Sequence, residues 1–165
     1  MKKLMLVIIF ISISTSAYAV QSFQQTKDSY KISEALLLDR NGKVIHELRV
    51  DLNGRRLDWT EIKDISPALI NAVISSEDRR FYRHHGVDWL AVLSATFSNL
   101  AGGPKRGAST ITMQLVSILE NRLKPGKARR TIRQKLEQMM SARQLEKEWT
   151  KEEIIETYLN LITFR

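Results

Sequence analysis

A chain of 165 residues is long enough for one domain with a real core, and the absence of cysteine excludes disulfides and thiolate metal sites. With 43% hydrophobic and 27% charged residues, the composition is that of a folded protein rather than a disordered one. The net charge of +8 is uneven: residues 20–76 carry eight Lys/Arg and eight Asp/Glu, whereas residues 105–135 carry nine Lys/Arg against Glu120 alone, so that stretch calls for an anionic partner.

At the N-terminus, Lys2 and Lys3 precede the apolar run Leu4 to Ile13, and a Ser-rich segment leads to Ala17-Tyr18-Ala19. This is the charged, apolar and small-residue order of a secretory signal peptide. The apolar run is short for a bilayer span, which takes about 20 residues; kept in place, the segment would act as an anchor. Either way the rest of the chain is expected to be exported. Export argues against nucleic acid as the partner of the basic stretch and for lipid headgroups or a phosphorylated substrate.

Residues 35–50 form two β-prone runs joined at Arg40-Asn41-Gly42-Lys43, and Asn-Gly in that position signals a hairpin. A polar connector with Gly54 follows. Ser66-Pro67 then reads as the start of a helix, with Leu69, Ile70, Val73 and Ile74 as its apolar stripe. Glu77 continues that stripe, which aims it toward the packed side or a cleft. A nearly all-apolar helix is expected from Asp88 to Gly102-Gly103-Pro104, suited to burial or to lipid. A third helix should span about Ser109 to Leu123, closed by Pro125-Gly126. A fourth should run from about Ala128 to Glu148, with Ile132, Leu136, Met139, Met140 and Leu145 on one side. Thr150-x-x-Glu153 is a capping box that opens a last helix, to about Asn160.

Four stretches carry chemistry-bearing residues. Glu77 and Asp78 stand beside Arg79, Arg80 and Arg83. A carboxylate facing a semi-buried cleft is disfavoured as an ion by desolvation, which suits a general base; the alternative is a surface pair bridged to those arginines. His84 and His85 lack metal-ligand spacing, so a ring bonding the turn before Gly86 is the simpler reading. Gly107 to Val116 is a glycine loop entering a helix, where Ser109 can cap and backbone N–H groups favour an anion. Arg129 to Gln138 groups Arg130, Gln134 and Lys135 within about a turn, which fits phosphate binding or a solvated face.

Together and in this order, these stretches resemble the glycosyltransferase family 51 domain, the peptidoglycan glycosyltransferase of penicillin-binding proteins. The motif E-D-x-x-F-x-x-H-x-G-x-D is met by Glu77, Asp78, Phe81, His84, Gly86 and Asp88. G-x-S-T-x-T-x-Q is met by Gly107, Ser109, Thr110, Thr112 and Gln114, and K-x-x-I-x-E-x-Y-L-N by Lys151, Ile154, Glu156, Tyr158, Leu159 and Asn160. The third motif, R-K-x-x-E, departs: the aligned residues are Gln134, Lys135 and Gln138, as in the 1C branch of the family, which puts a second carboxylate in doubt. The chain also stops at "LITFR", short of the segments with which the family continues.

The resemblance implies a mainly α, lysozyme-like glycosyltransferase domain, incomplete at its C-terminus, with a short N-terminal β-hairpin. Its parts would be a signal or anchor at 1–19, hairpin and connector at 20–60, and the glycosyltransferase domain at 61–165. The implied substrate is lipid II and the growing glycan strand, with undecaprenyl diphosphate leaving. Glu77 would be the base. Asp78, Arg80, Phe81, His84, Ser109, Thr110, Gln114, Arg130 and Lys135 would bind substrate or diphosphate. No cofactor is required, although some family members place a divalent cation (Mg or Mn) at the diphosphate, which Asp78 would help hold. Membrane lipids and other cell-wall synthesis proteins are the expected partners, and nucleic acid is not. Two alternatives stay open: an inactive remnant that binds lipid II or a cell-wall partner, and a lysozyme-like glycan cleaver.

Overall fold

The computed structural model describes residues 21–51, 55–100, 102, 107–120 and 131–162. The leader expectation for 1–19, the glycine-proline stop at 103–104, the helix end near 123–126 and Arg130 lie outside the described residues. Among those described, the protein is mostly helical with one two-stranded antiparallel sheet.

Helix α1 (Phe23–Asp28) is short, and Ser22 and Gln25 close a capping box around its first turn. Its anchor is aromatic: Phe23 meets Trp59 and Trp149 edge-on, and Trp149 Nε1 donates to the Gln21 carbonyl at 3.1 Å. Strands β1 (Glu34–Leu38) and β2 (Val44–Arg49) make the expected hairpin, in register Ala35 with Leu48 and Leu37 with His46. Its tip is set locally. Asp39 Oδ1 accepts from the Asn41 and Lys43 amides, both at 2.8 Å, and Gly42 takes φ +80°. Neither face is covered, so Leu36, Leu37, Leu38, Ile45 and Leu48 are all exposed.

The connector returns to the last helix, α6 (Lys151–Leu161). Glu156 accepts from Trp59 Nε1 at 2.7 Å and from the Ile62 amide at 2.8 Å. Asn160 brackets Thr60, accepting from its N–H and donating to its carbonyl, both at 2.8 Å. Two residues of the fourth motif are thus spent on holding the connector.

The core lies where α4 (Ile111–Leu119) packs on α5 (Ile132–Glu148) and α6. Ile111, Met113 and Leu115 interlock with Ala142, Leu145, Ile154, Ile155 and Tyr158, joined by Phe81 and Val87. Full burial of a side chain such as Phe81 or Ile111 contributes about 2 kcal/mol. Helix α2 (Pro67–Glu77) adds Val73 and Ile74 to this core, while Leu69 remains exposed.

Helix boundaries follow capping chemistry. α6 begins at the Thr150/Glu153 box as the sequence predicts. α4 begins later than expected because Thr110, not Ser109, is the N-cap and accepts from the Met113 amide. α5 opens at Ile132 rather than at about Ala128, because Thr131 and Gln134 form a capping box there. The buried side of α5 is also rotated from the expected one: Gln138, Met139, Ala142 and Leu145 face the core, whereas Ile132, Leu136 and Met140 are exposed. Helix α3 (Trp89–Leu100) is covered on one side only; Ala95 is buried, and Trp89, Leu90, Leu93 and Phe97 are open to solvent. Among the described residues no helix is long and apolar enough to cross a membrane.

Candidate active site

An open cleft of about 510 Å³ lies between the end of α2, the first turns of α3 and the loop before α4. Glu77, Asp78, Arg80, Ser109 and Thr110 reach its surface. The first and second motifs therefore meet across it, although 30 residues separate Glu77 from Gly107.

The adjacent carboxylates have opposite fates. Glu77 closes α2 and is exposed on the cleft wall, where Gln114 Nε2 donates to its Oε2 at 2.9 Å. The stripe aims Glu77 at the packed side or a cleft, and it lies at the cleft, though exposed rather than half-buried. Asp78 turns inward and is buried. His84 Nε2 lies 3.0 Å from each of its oxygens, and the Ile111 amide at the start of α4 donates to Oδ2 at 3.1 Å. This corrects the reading of Asp78 as a substrate or metal ligand, since its carboxylate ties the first motif to the second. His84 is corrected likewise: its ring is buried in a structural role, but its Nε2 bonds the Asp78 carboxylate and not the turn before Gly86.

Further residues expected to bind substrate are structural here. Phe81 is fully buried, with Lys151 Nζ 4.3 Å above its ring centre. Thr110 is buried, and its hydroxyl donates to the Gly86 carbonyl at 2.6 Å. Arg80 forms a fork with Asp88, with Nε and Nη2 each donating at 2.7 Å. Burial pushes the Asp88 carboxyl up, but the Ala91 amide and the Arg80 guanidinium outweigh it and hold the group below the usual carboxylate range. Arg80 lines the cleft, yet its charge is engaged by a protein acid. Lys135 Nζ donates to Ser109 Oγ at 2.7 Å, which brings the third-motif lysine to the cleft edge.

Gln138, the departure in the third motif, lies in the core. It is fully buried, with Nε2 donating to the Met113 carbonyl at 2.5 Å and to Ser117 Oγ at 2.6 Å. A carboxylate could not donate to that carbonyl, although the amide's own Oε1 is buried there without a partner among the described residues. Spacing gave no sign of two other features. Glu146 is a buried acid that accepts from Thr112 Oγ1 and pairs with Lys151 at 2.8 Å. Tyr158 is fully buried, with its hydroxyl on Gln114. Both depend on helices meeting in space, which only the order of the motifs along the chain could have hinted at.

Comparison with known proteins bears on the family. A family model described as Transglycosylase matches residues 41–165. The chain is 35% identical over 136 residues to penicillin-binding protein 1A of Streptococcus oralis, covering 79% of this chain and 21% of that protein. It is 44% identical over 103 residues to the biosynthetic peptidoglycan transglycosylase of Rhodospirillum centenum, covering 62% of this chain and 42% of the relative. With penicillin-binding protein 1A of Rickettsia prowazekii the match is 29% over 175 residues, covering 98% of this chain and 21% of the relative. The chain thus spans well under half the length of these relatives.

Proposed function

The chain belongs to the transglycosylase family, and on that premise we propose that it is a peptidoglycan glycosyltransferase. In this reading it polymerises lipid II into glycan strands and releases undecaprenyl diphosphate. One observation carries the reading: Glu77 stands exposed on the wall of a cleft, held from one side by Gln114. The cleft volume is within the usual range for a small-ligand site.

The 4-hydroxyl oxygen of one lipid II forms a bond to the anomeric carbon of the growing strand. The bond from that carbon to the lipid diphosphate breaks, and the electron pair leaves with the phosphate oxygen. Glu77 takes the hydroxyl proton as the new bond forms. Positive charge stabilises the leaving diphosphate. Lys135, steadied by Ser109 at the cleft edge, supplies it, and Arg130 is assigned to the same task from sequence. A divalent cation at Asp78 does not fit. That carboxylate is buried with protein partners on both oxygens, and among the described residues no cluster of three His, Asp or Glu side chains forms a ligand set.

The outer side of α3 suits the lipid end of the substrate. Trp89, Leu90, Leu93 and Phe97 form an exposed apolar strip beside the cleft, as a helix resting on a membrane surface would present. We assign the protein to the outer face of the cytoplasmic membrane on this strip and on the leader-like residues 1–19.

The test is incubation of the full chain with labelled lipid II in lipid vesicles. Long glycan strands are expected; only monomer, from a chain shown to be folded, overturns the proposal. Glu77→Gln should lower polymerisation by about 100-fold or more with an unchanged melting temperature. Strands made at the wild-type rate by this variant would remove Glu77 from the base role.

A further inference from the structure

We propose that Tyr158 is a positioning residue for the transfer, fixing the Glu77 side chain through the amide of Gln114. The proposal deepens the reading of Glu77 as the base and rests on it. Three elements supply one chain of hydrogen bonds. The Tyr158 hydroxyl on α6 donates to Gln114 Oε1 on α4 at 3.1 Å, and Gln114 Nε2 donates to Glu77 Oε2 at the end of α2 at 2.9 Å. The two links span 44 and 37 residues of sequence.

The chemistry of the three groups gives the chain a direction. An ionised carboxylate only accepts, so the NH2 end of the amide must face Glu77. Oε1 then points inward, where it needs a donor, and Tyr158 provides one. Tyr158 is fully buried, so its ring is immobile and its hydroxyl position is defined by the core. Burial, with a smaller contribution from the negative charge of Glu77, pushes its pKa up to about 12. The hydroxyl therefore keeps its proton, and remains a donor, throughout the neutral range. Glu77 itself is exposed, and among the described residues Gln114 is its hydrogen-bond partner. Without the phenol, Gln114 Oε1 loses its inner anchor and the half-buried amide is free to swing toward water, releasing Glu77 into other rotamers. A base acting on a bound hydroxyl is sensitive to misplacement of about an ångström.

Two measurements on the full chain test this. In Tyr158→Phe, which removes only the hydroxyl, kcat should fall about 10-fold with KM within about twofold of wild type, because orientation rather than substrate contact is lost. The same substitution in a Gln114→Ala background should change kcat by less than about twofold, because the anchored group is already gone. An equal loss in both backgrounds would mean that Tyr158 acts through packing and would overturn the proposal. The second measurement needs no activity. Nuclear Overhauser contacts between the Gln114 side-chain NH2 and the Glu77 Cγ protons should be present in wild type and lost in Tyr158→Phe; their retention in the variant would overturn the anchoring. A wild-type chain that polymerises nothing while showing these contacts would refute the transferase reading and leave the anchoring intact, so the two failures are distinguishable.

Discussion

Gly42 and Gly86 adopt the same left-handed backbone, with φ of +80° and +81°, in two regions that share little else. At the hairpin tip, a Cβ on Gly42 would meet nothing within 4 Å. A Cβ on Gly86 would lie 2.5 Å from the Ala142 carbonyl oxygen on α5. The hairpin is held by neighbours in sequence, Asp39 with Asn41 and Lys43. The loop around Gly86 is held by bonds that cross 24 and 33 residues, from Thr110 to the Gly86 carbonyl and from the Ile111 amide to Asp78. An identical conformational demand is thus a local turn requirement in one place and a packing requirement in the other. The cleft lies in the second region, which explains why so many motif residues there are spent on the fold.

The contrast is tested most severely by Gly86→Ala. Left-handed strain costs about 1–2 kcal/mol, and the clash with α5 backbone adds about 1–3 kcal/mol or more. A fall in melting temperature on the order of 10 °C is expected, read by thermal unfolding followed by circular dichroism. A drop of only a degree or two would mean that the loop does not press on α5.

Gln138→Glu comes next. It sets a carboxyl group against the Met113 carbonyl in a site with no exposure, at a cost of about 2–4 kcal/mol. If chemical denaturation shows no loss and lipid II turnover rises instead, position 138 belongs to the cleft and the core assignment fails.

Asp88→Asn probes the rim. Because the folded Asp88 carboxyl is held below its unfolded value, its pairing contributes stability above the unfolded carboxylate range, near pH 4. That contribution is lost as pH falls through the depressed folded value. The variant should lose about 1 kcal/mol at neutral pH, a figure discounted because the Arg80 side chain is 35% exposed. Its stability should also depend less on pH on the acid side. Parallel acid-unfolding curves for the two proteins would refute the pairing.

The smallest effect belongs to the hairpin. Gly42→Ala should cost about 1 kcal/mol, from backbone strain alone, with lipid II turnover unchanged. A loss equal to that of Gly86→Ala would erase the distinction between the two regions.

Much of the fold is legible in the sequence because it is written in short-range chemistry. Asn41-Gly42 specifies the hairpin, and Thr150 with Glu153 specifies the start of α6. The second capping box, Thr131 with Gln134, is equally local, and it is where α5 opens. Periodicity fails on α5, where Ile132, Leu136 and Met140 form an apolar row that the neighbouring helices do not cover. The row is defined by α5 alone, but burial is decided by where α4 and α6 lie.

The site divides in the same way. Residue order along the chain points to the neighbourhood of the cleft, since Glu77, Ser109, Gln114 and Lys135 all stand in recognisable motifs and line the cleft or bond a residue that does. Their division of labour is not encoded there. Glu77 and Asp78 are adjacent and chemically alike, yet one faces water and the other accepts from His84 and the first turn of α4. Helix and turn propensities act over a few residues, so the sequence by itself determines the elements and their caps. Which carboxylate faces the cleft, where Gln138 is buried, and how Tyr158 reaches Glu77 through Gln114 were decided only when α2, α4, α5 and α6 came together, because burial and hydrogen-bond partnership are properties of surfaces in contact.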